Sequence, residues 1–301
     1  MEDDPTPPFI LAAPFDNPDA DVVLRSSDGI DFRTHRVVLS LASGFFKQMF
    51  SLPQPNGDPL VPVIPMSESA TLLDKALRFW YPGAEPIANT TLDELRDIIE
   101  VVIAKYDIQF AVPMAKLRLS GHLTQDPVGV FFVACRHEWK DMTTEAARQS
   151  LALPLRAFDT PPPTYLNHAT AGMYYQLLAY HAACARAATM ALKCHDDPDR
   201  PGRDCDSEND ECPMDFGTEF SLYPETISVW LTSCLKAMAE TLAATPSAQL
   251  DTVALLTMAR EEASRCGDCV REGVDKFPRF VVKLQNKINT AISAVELKLY
   301  F

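Results

Sequence analysis

No stretch of this 301-residue chain approaches 18 uninterrupted apolar residues, the length at which a segment becomes a candidate to cross a bilayer. The longest candidate, Ala169 to Lys193, is alanine-rich and broken by His181 and Arg186. The start, Met1-Glu2-Asp3-Asp4, has neither the positive charge nor the apolar core of a secretory signal. These absences lead us to expect a chain of the cytosol or nucleus, with no membrane partner. In that reducing setting its eight cysteines are not expected to build a disulfide framework, and the sequon Asn89-Thr90-Thr91 is incidental. Basic charge is also short. Lys and Arg number 27 against 41 Asp and Glu, a net charge of −14, so the footprint that phosphate backbones need is missing and nucleic acid is not an expected partner. Glycine is scarce, at 11 residues, and forms no phosphate-cradling loop, dinucleotide fingerprint or GxSxG elbow. His137-Glu138-Trp139-Lys140-Asp141 opens like the zinc-protease motif but puts Asp141 where the second imidazole must project from the same helix face. No enzyme is expected.

What is present points to packed domains. Hydrophobic residues make up 47% of the chain, enough for one large core or two of ordinary size. The 24 prolines bunch at Pro5 to Pro18, Pro53 to Pro65 and Pro154 to Pro163, marking links between blocks. Pro161-Pro162-Pro163 is the best internal boundary and reads as a stiff spacer. Val22 and Leu24 share one face of an extended segment, with Asp21, Val23 and Arg25 on the other. Asp28-Gly29 supplies a hairpin turn, and Ile30 and Phe32 return with the same alternation. From Arg36 the period lengthens to three and four residues through Val37, Val38, Leu41, Phe45, Phe46, Met49 and Phe50, with a break at Ser43-Gly44, which predicts two short helices. His35, at the junction, reads as a hydrogen-bonded structural histidine. Val61-Pro62-Val63-Ile64 suits an edge strand. A helix follows from about Ala70 to Tyr81, stopped by Pro82-Gly83. Thr91 and Glu94 form a capping box for a helix carrying Leu92, Leu95, Ile98, Ile99 and Val102, and Met114, Leu117, Leu119 and Leu123 complete the apolar series.

This order of hairpin, helix pair, edge strand and helical array, carried by Asp21 to Phe50 and the elements after it, resembles a BTB/POZ domain over residues 18–125. The proline-flanked loop, the acidic cysteine-containing insertion and the lack of repeats resemble the BTB proteins expanded in fungal genomes. The resemblance implies an α+β domain that pairs protein with protein, and a chain that homodimerises and serves as an adaptor or scaffold. It implies a dimer contact through about Phe9 to Val23 and Arg36 to Phe46, with Leu11, Val22, Val37, Leu41 and Phe45 as its residues. Many family members also recruit a cullin to ubiquitin ligases, through a hydrophobic residue, a spacer and a glutamate after the segment matching Met49-Phe50. Here that place reads Ser51-Leu52-Pro53-Gln54-Pro55-Asn56, which supplies no glutamate. A cullin-based substrate adaptor is the alternative expectation.

Around that domain we expect an acidic, proline-rich N-terminus over 1–17, a helical extension and proline-rich link over 126–160, and an α-helical C-terminal domain over 161–301. Asp126-Pro127 opens the extension, with helices at Val128 to Cys135 and Met142 to Leu153. Tyr165 to Lys193 suggests one long helix with Tyr174, Leu177, Leu178 and Met190 on its apolar side, and Glu225 to Ala244 and Leu250 to Arg265 suggest two more. Val281, Leu284, Ile288, Ile292, Val295 and Leu299 form the stripe of a terminal helix docked on its own domain. The loop 195–212 holds eight acids against two arginines and reads as solvated. Cysteines flank it, and Cys266-Gly267-Asp268-Cys269 has the two-residue spacer that lets two thiolates meet one metal ion. Cys194, Cys212, Cys266 and Cys269 are the candidate ligands of a structural zinc, with His195 or Cys205 as substitutes.

Overall fold

The computed structural model describes residues 10–52, 61–84, 89–154, 164–193, 227–264 and 269–300, with 201, 214–215, 266 and 267. It divides into two compact units, Met1–Met142 and Thr143–Phe301.

The first unit begins with β1 (Val22–Arg25) and β2 (Asp31–Thr34), antiparallel and joined at Asp28-Gly29 as expected. Gly29 takes φ +88°, a backbone angle that side chains resist. Ser26 Oγ donates to the Asp28 carboxylate at 2.5 Å and accepts from Ile30 N–H at 2.9 Å, and Asp28 in turn accepts from Ala70 N–H at 2.8 Å. The turn thereby anchors α3 (Ala70–Arg78). β3 (Val63–Pro65) lies parallel beside β1, giving the order β2-β1-β3. As an edge strand it tolerates Pro62 and Pro65, which lack a donor. Val23 is buried along with Val22 and Leu24, where alternation placed it outward, so both faces of β1 are covered.

α1 (Arg36–Ala42) and α2 (Gly44–Ser51) meet at Ser43. Thr91 and Glu94 form the expected capping box of α4 (Leu92–Ile99), whose Leu95, Ile98 and Ile99 are buried. A π-helical stretch, Glu100–Lys105, follows, with Tyr106 N–H bonded five residues back to Val101. α5 (Val112–Ser120) and α6 (Pro127–Arg136) come next. Asp126 caps α6 through Gly129 N–H at 2.8 Å, and α6 is buried from Pro127 to Cys135. A Cβ at Gly129 would lie 2.4 Å from the Asp126 carboxylate and 2.5 Å from Leu92, so one of these side chains would have to shift. The division between the units falls inside α7 (Lys140–Ser150).

The second unit is helical, with α8 (Ala171–Ala191), α9 (Val229–Ala244), α10 (Thr252–Ala263) and α11 (Val274–Ser293), and a two-residue antiparallel pair, β4 (Met214–Asp215) and β5 (Ile227–Ser228). α8 starts at Ala171, capped by Thr170, six residues after the expected Tyr165. Its buried face is Leu177, Tyr180, His181, Cys184, Ala188 and Ala191. Leu178 and Met190, assigned to the apolar side, are 36% and 59% exposed. α11 docks within its own unit against α8 and α10, burying Phe277, Phe280, Val281, Leu284, Ile288 and Ile292. The helix stops at Ser293, so Val295 and Leu299 do not continue its stripe. They lie on an extended segment where Val295, Leu297 and Leu299 are half-buried and Glu296, Lys298 and Tyr300 are exposed, the alternation of a strand.

Candidate interaction surface

α1 turns Val37 and Leu41, one helical turn apart, to solvent at 62% and 84% exposure, while Leu39 between them is fully buried. Phe45, at the start of α2, extends this row at 46% exposure, and Leu11 is half-buried. Val22, the remaining residue assigned to the contact, lies at 0% exposure in the central strand, so its side chain serves the core and cannot meet a partner.

The row sits on a fixed support. His35 N–H donates to the Tyr81 hydroxyl at 3.1 Å, and its ring Nδ1 lies 2.9 Å from the same oxygen, the structural role expected of it. Arg36 N–H donates to Asp21 at 2.7 Å, and the Arg36 guanidinium covers the Phe50 ring at 4.8 Å. At the other end the buried Ser43 hydroxyl donates to the Tyr106 carbonyl and accepts from Phe46 N–H at 3.2 Å. Tyr106 itself stacks on Phe46 at 5.1 Å and donates its hydroxyl to the buried Glu68 at 2.7 Å. Burial pushes the Glu68 carboxyl up, but hydrogen bonds from Lys105 and Tyr106 outweigh it and hold the group below its usual range. Burial, reinforced by Glu68, raises the Tyr106 phenol. The extra residue of the π-helical stretch sets up this corner, which the sequence reading did not foresee.

A second exposed row was missed. Phe110, Met114 and Leu117 are 58%, 45% and 66% exposed on and before α5, whereas Ala111, Ala115 and Leu119 are buried. Met114 and Leu117, expected in one apolar series with Leu119, face solvent while Leu119 is buried. The signal was available as two apolar stripes at helical spacing on one short helix, one large and one small.

Other polar clusters have structural work. Arg136 and His137 both reach Glu100, His137 Nε2 at 3.3 Å. The His137 ring 3.3 Å away and the hydrogen-bonded Arg136 guanidinium prevail over burial and hold the Glu100 carboxyl at about 2. The protease-like stretch is split by a turn: His137 closes α6, Glu138 has φ +58°, and Lys140 opens α7. Cys266 and Cys269 are buried. Cys194 and Cys212, with His195 and Cys205, lie outside the described residues. Among the described residues no group of three or more His, Cys, Asp or Glu is placed to hold a metal, and no helix is long and apolar enough to cross a membrane.

The small sheet, the helix pair and the helical array are those of a BTB/POZ domain, and the BTB/POZ family model matches residues 14–119. This part of the chain is a protein-interaction module, followed by a helical region. A search of curated proteins returned no match.

Proposed function

We propose that the BTB/POZ unit pairs with a second copy of itself through Leu11, Val37, Leu41 and Phe45, and that the chain acts as a non-catalytic adaptor or scaffold in the cytosol or nucleus. The observation that carries this reading is α1, a short helix held at both ends by hydrogen bonds whose outer face presents Val37 and Leu41 to water. Scattered exposed aliphatics are ordinary. A row of them on a rigid element is different, because it offers the self-complementary apolar centre that a two-fold interface needs. Burial of each such side chain contributes about 1.5–3 kcal/mol, and every residue counts twice in a two-fold pair. Sedimentation of the Val37→Asp, Leu41→Asp double variant tests the surface. Both positions are solvent-facing, so the fold should survive, and the dimer should dissociate. A dimer that persists discredits the surface.

A cullin scaffold is the second reading. Phe110, Met114 and Leu117 give the unit another apolar row on which a partner can dock. A pull-down with a cullin N-terminal region checks this: capture that Leu117→Asp abolishes supports it, and no capture at micromolar concentration leaves the generic adaptor. We also propose a structural zinc on Cys194, Cys212, Cys266 and Cys269, supported by the shared burial of Cys266 and Cys269. Metal analysis should find zinc in the wild type and lose it in Cys266→Ser; a wild type without zinc removes the site.

A further inference from the structure

Gln176 of α8 is 8% exposed, and its amide nitrogen donates to the main-chain carbonyl of Tyr300 at 3.2 Å, while its Oε1 has no partner. An open acceptor at such depth costs about 1–3 kcal/mol unless something satisfies it. The residue lines a 320 Å³ cavity between α8 and the extended segment 296–300. Ala179 and Ala183 leave room along α8, and Arg186 closes the row ten residues after Gln176, about 15 Å along a helix. That length matches four or five residues of extended peptide at about 3.3 Å each.

Two further features narrow the occupant. The N–H and C=O groups of residues 296–299 make no hydrogen bond among the described residues, although the segment is extended. Its unpaired main-chain groups are available as those of a strand edge are. Arg186 and Lys298 line the cavity without an ion-pair partner among the described residues, in a chain of net charge −14.

We propose that this groove binds an extended peptide bearing a carboxylate side chain, added as a strand beside 296–300. Main-chain pairing with the segment supplies affinity. Arg186 and Lys298 take the carboxylate, while Glu296, also in the lining, disfavours a run of acids. The site stands on the helical unit alone and does not depend on pairing of the BTB/POZ unit.

The test uses the full chain and three capped hexapeptides of alternating valine and threonine. One carries a single central aspartate, the second has lysine in its place, and the third keeps the aspartate but is N-methylated at alternate amides. Calorimetry should show binding of the first peptide and at least about tenfold weaker binding of the other two. The Arg186→Glu, Lys298→Glu variant, changed at exposed positions, should reverse the preference between aspartate and lysine. Equal binding of the lysine peptide, undiminished binding of the methylated one, or no binding of the first at about 1 mM overturns the proposal.

Discussion

Ser43 shows how much one hydroxyl settles in this chain. It ends α1, caps α2 through Phe46 N–H and satisfies the Tyr106 carbonyl. Ser43→Ala removes the cap and leaves that carbonyl without its donor, so it should cost about 2 kcal/mol by denaturant unfolding. A loss within experimental error would show that α1 and α2 are held otherwise. His181 makes a prediction of opposite chemistry. Its Nε2 lies 2.8 Å from Ser150 Oγ, which also lies 2.8 Å from the Ala147 carbonyl. Burial lowers this imidazole from 6.5 to about 4. The folded state holds it neutral while the unfolded chain takes up a proton below pH 6.5. Its contribution is therefore complete above that pH, declines as the pH falls, and is lost by about pH 4, with a full size of about 3 kcal/mol. An NMR titration should place His181 well below 6.5, and a midpoint near 6.5 would contradict its burial.

Among the elements, those governed by local chemistry were legible in the sequence. The Thr91 and Glu94 box, the Asp126-Pro127 start and the Asp28-Gly29 turn depend on residues a few positions apart. What required the fold was hidden. Val23 is buried with its neighbours on both faces of β1, and no alternation within four residues can report that both faces are covered. The π-helical turn at 100–105 leads to Tyr106, whose hydroxyl reaches Glu68, 38 positions away, a contact that no local pattern reports. α1 was legible as an apolar stripe, but nothing local said that Leu39 would face the core while Val37 and Leu41 faced out. α6 gives an element-scale test. Gly129→Ala, ordinarily favourable in a helix, should here destabilise by about 1–3 kcal/mol by forcing α6 away from Leu92 and Asp126; a gain in stability would show that the contact yields easily. For α11, Leu284→Ala should cost about 2–5 kcal/mol as a buried truncation, checked by thermal unfolding, and a neutral result would argue against its docking.

At the scale of the molecule, a BTB/POZ unit with outward apolar rows is followed by a helical unit with its own groove. Pairing through α1 is the central claim, and native mass spectrometry of the chelator-free protein tests it most directly. The wild type should appear at twice the mass of the 33.4 kDa chain, and Leu41→Asp should appear as the single chain. A monomeric wild type, or a variant that remains dimeric, would contradict it.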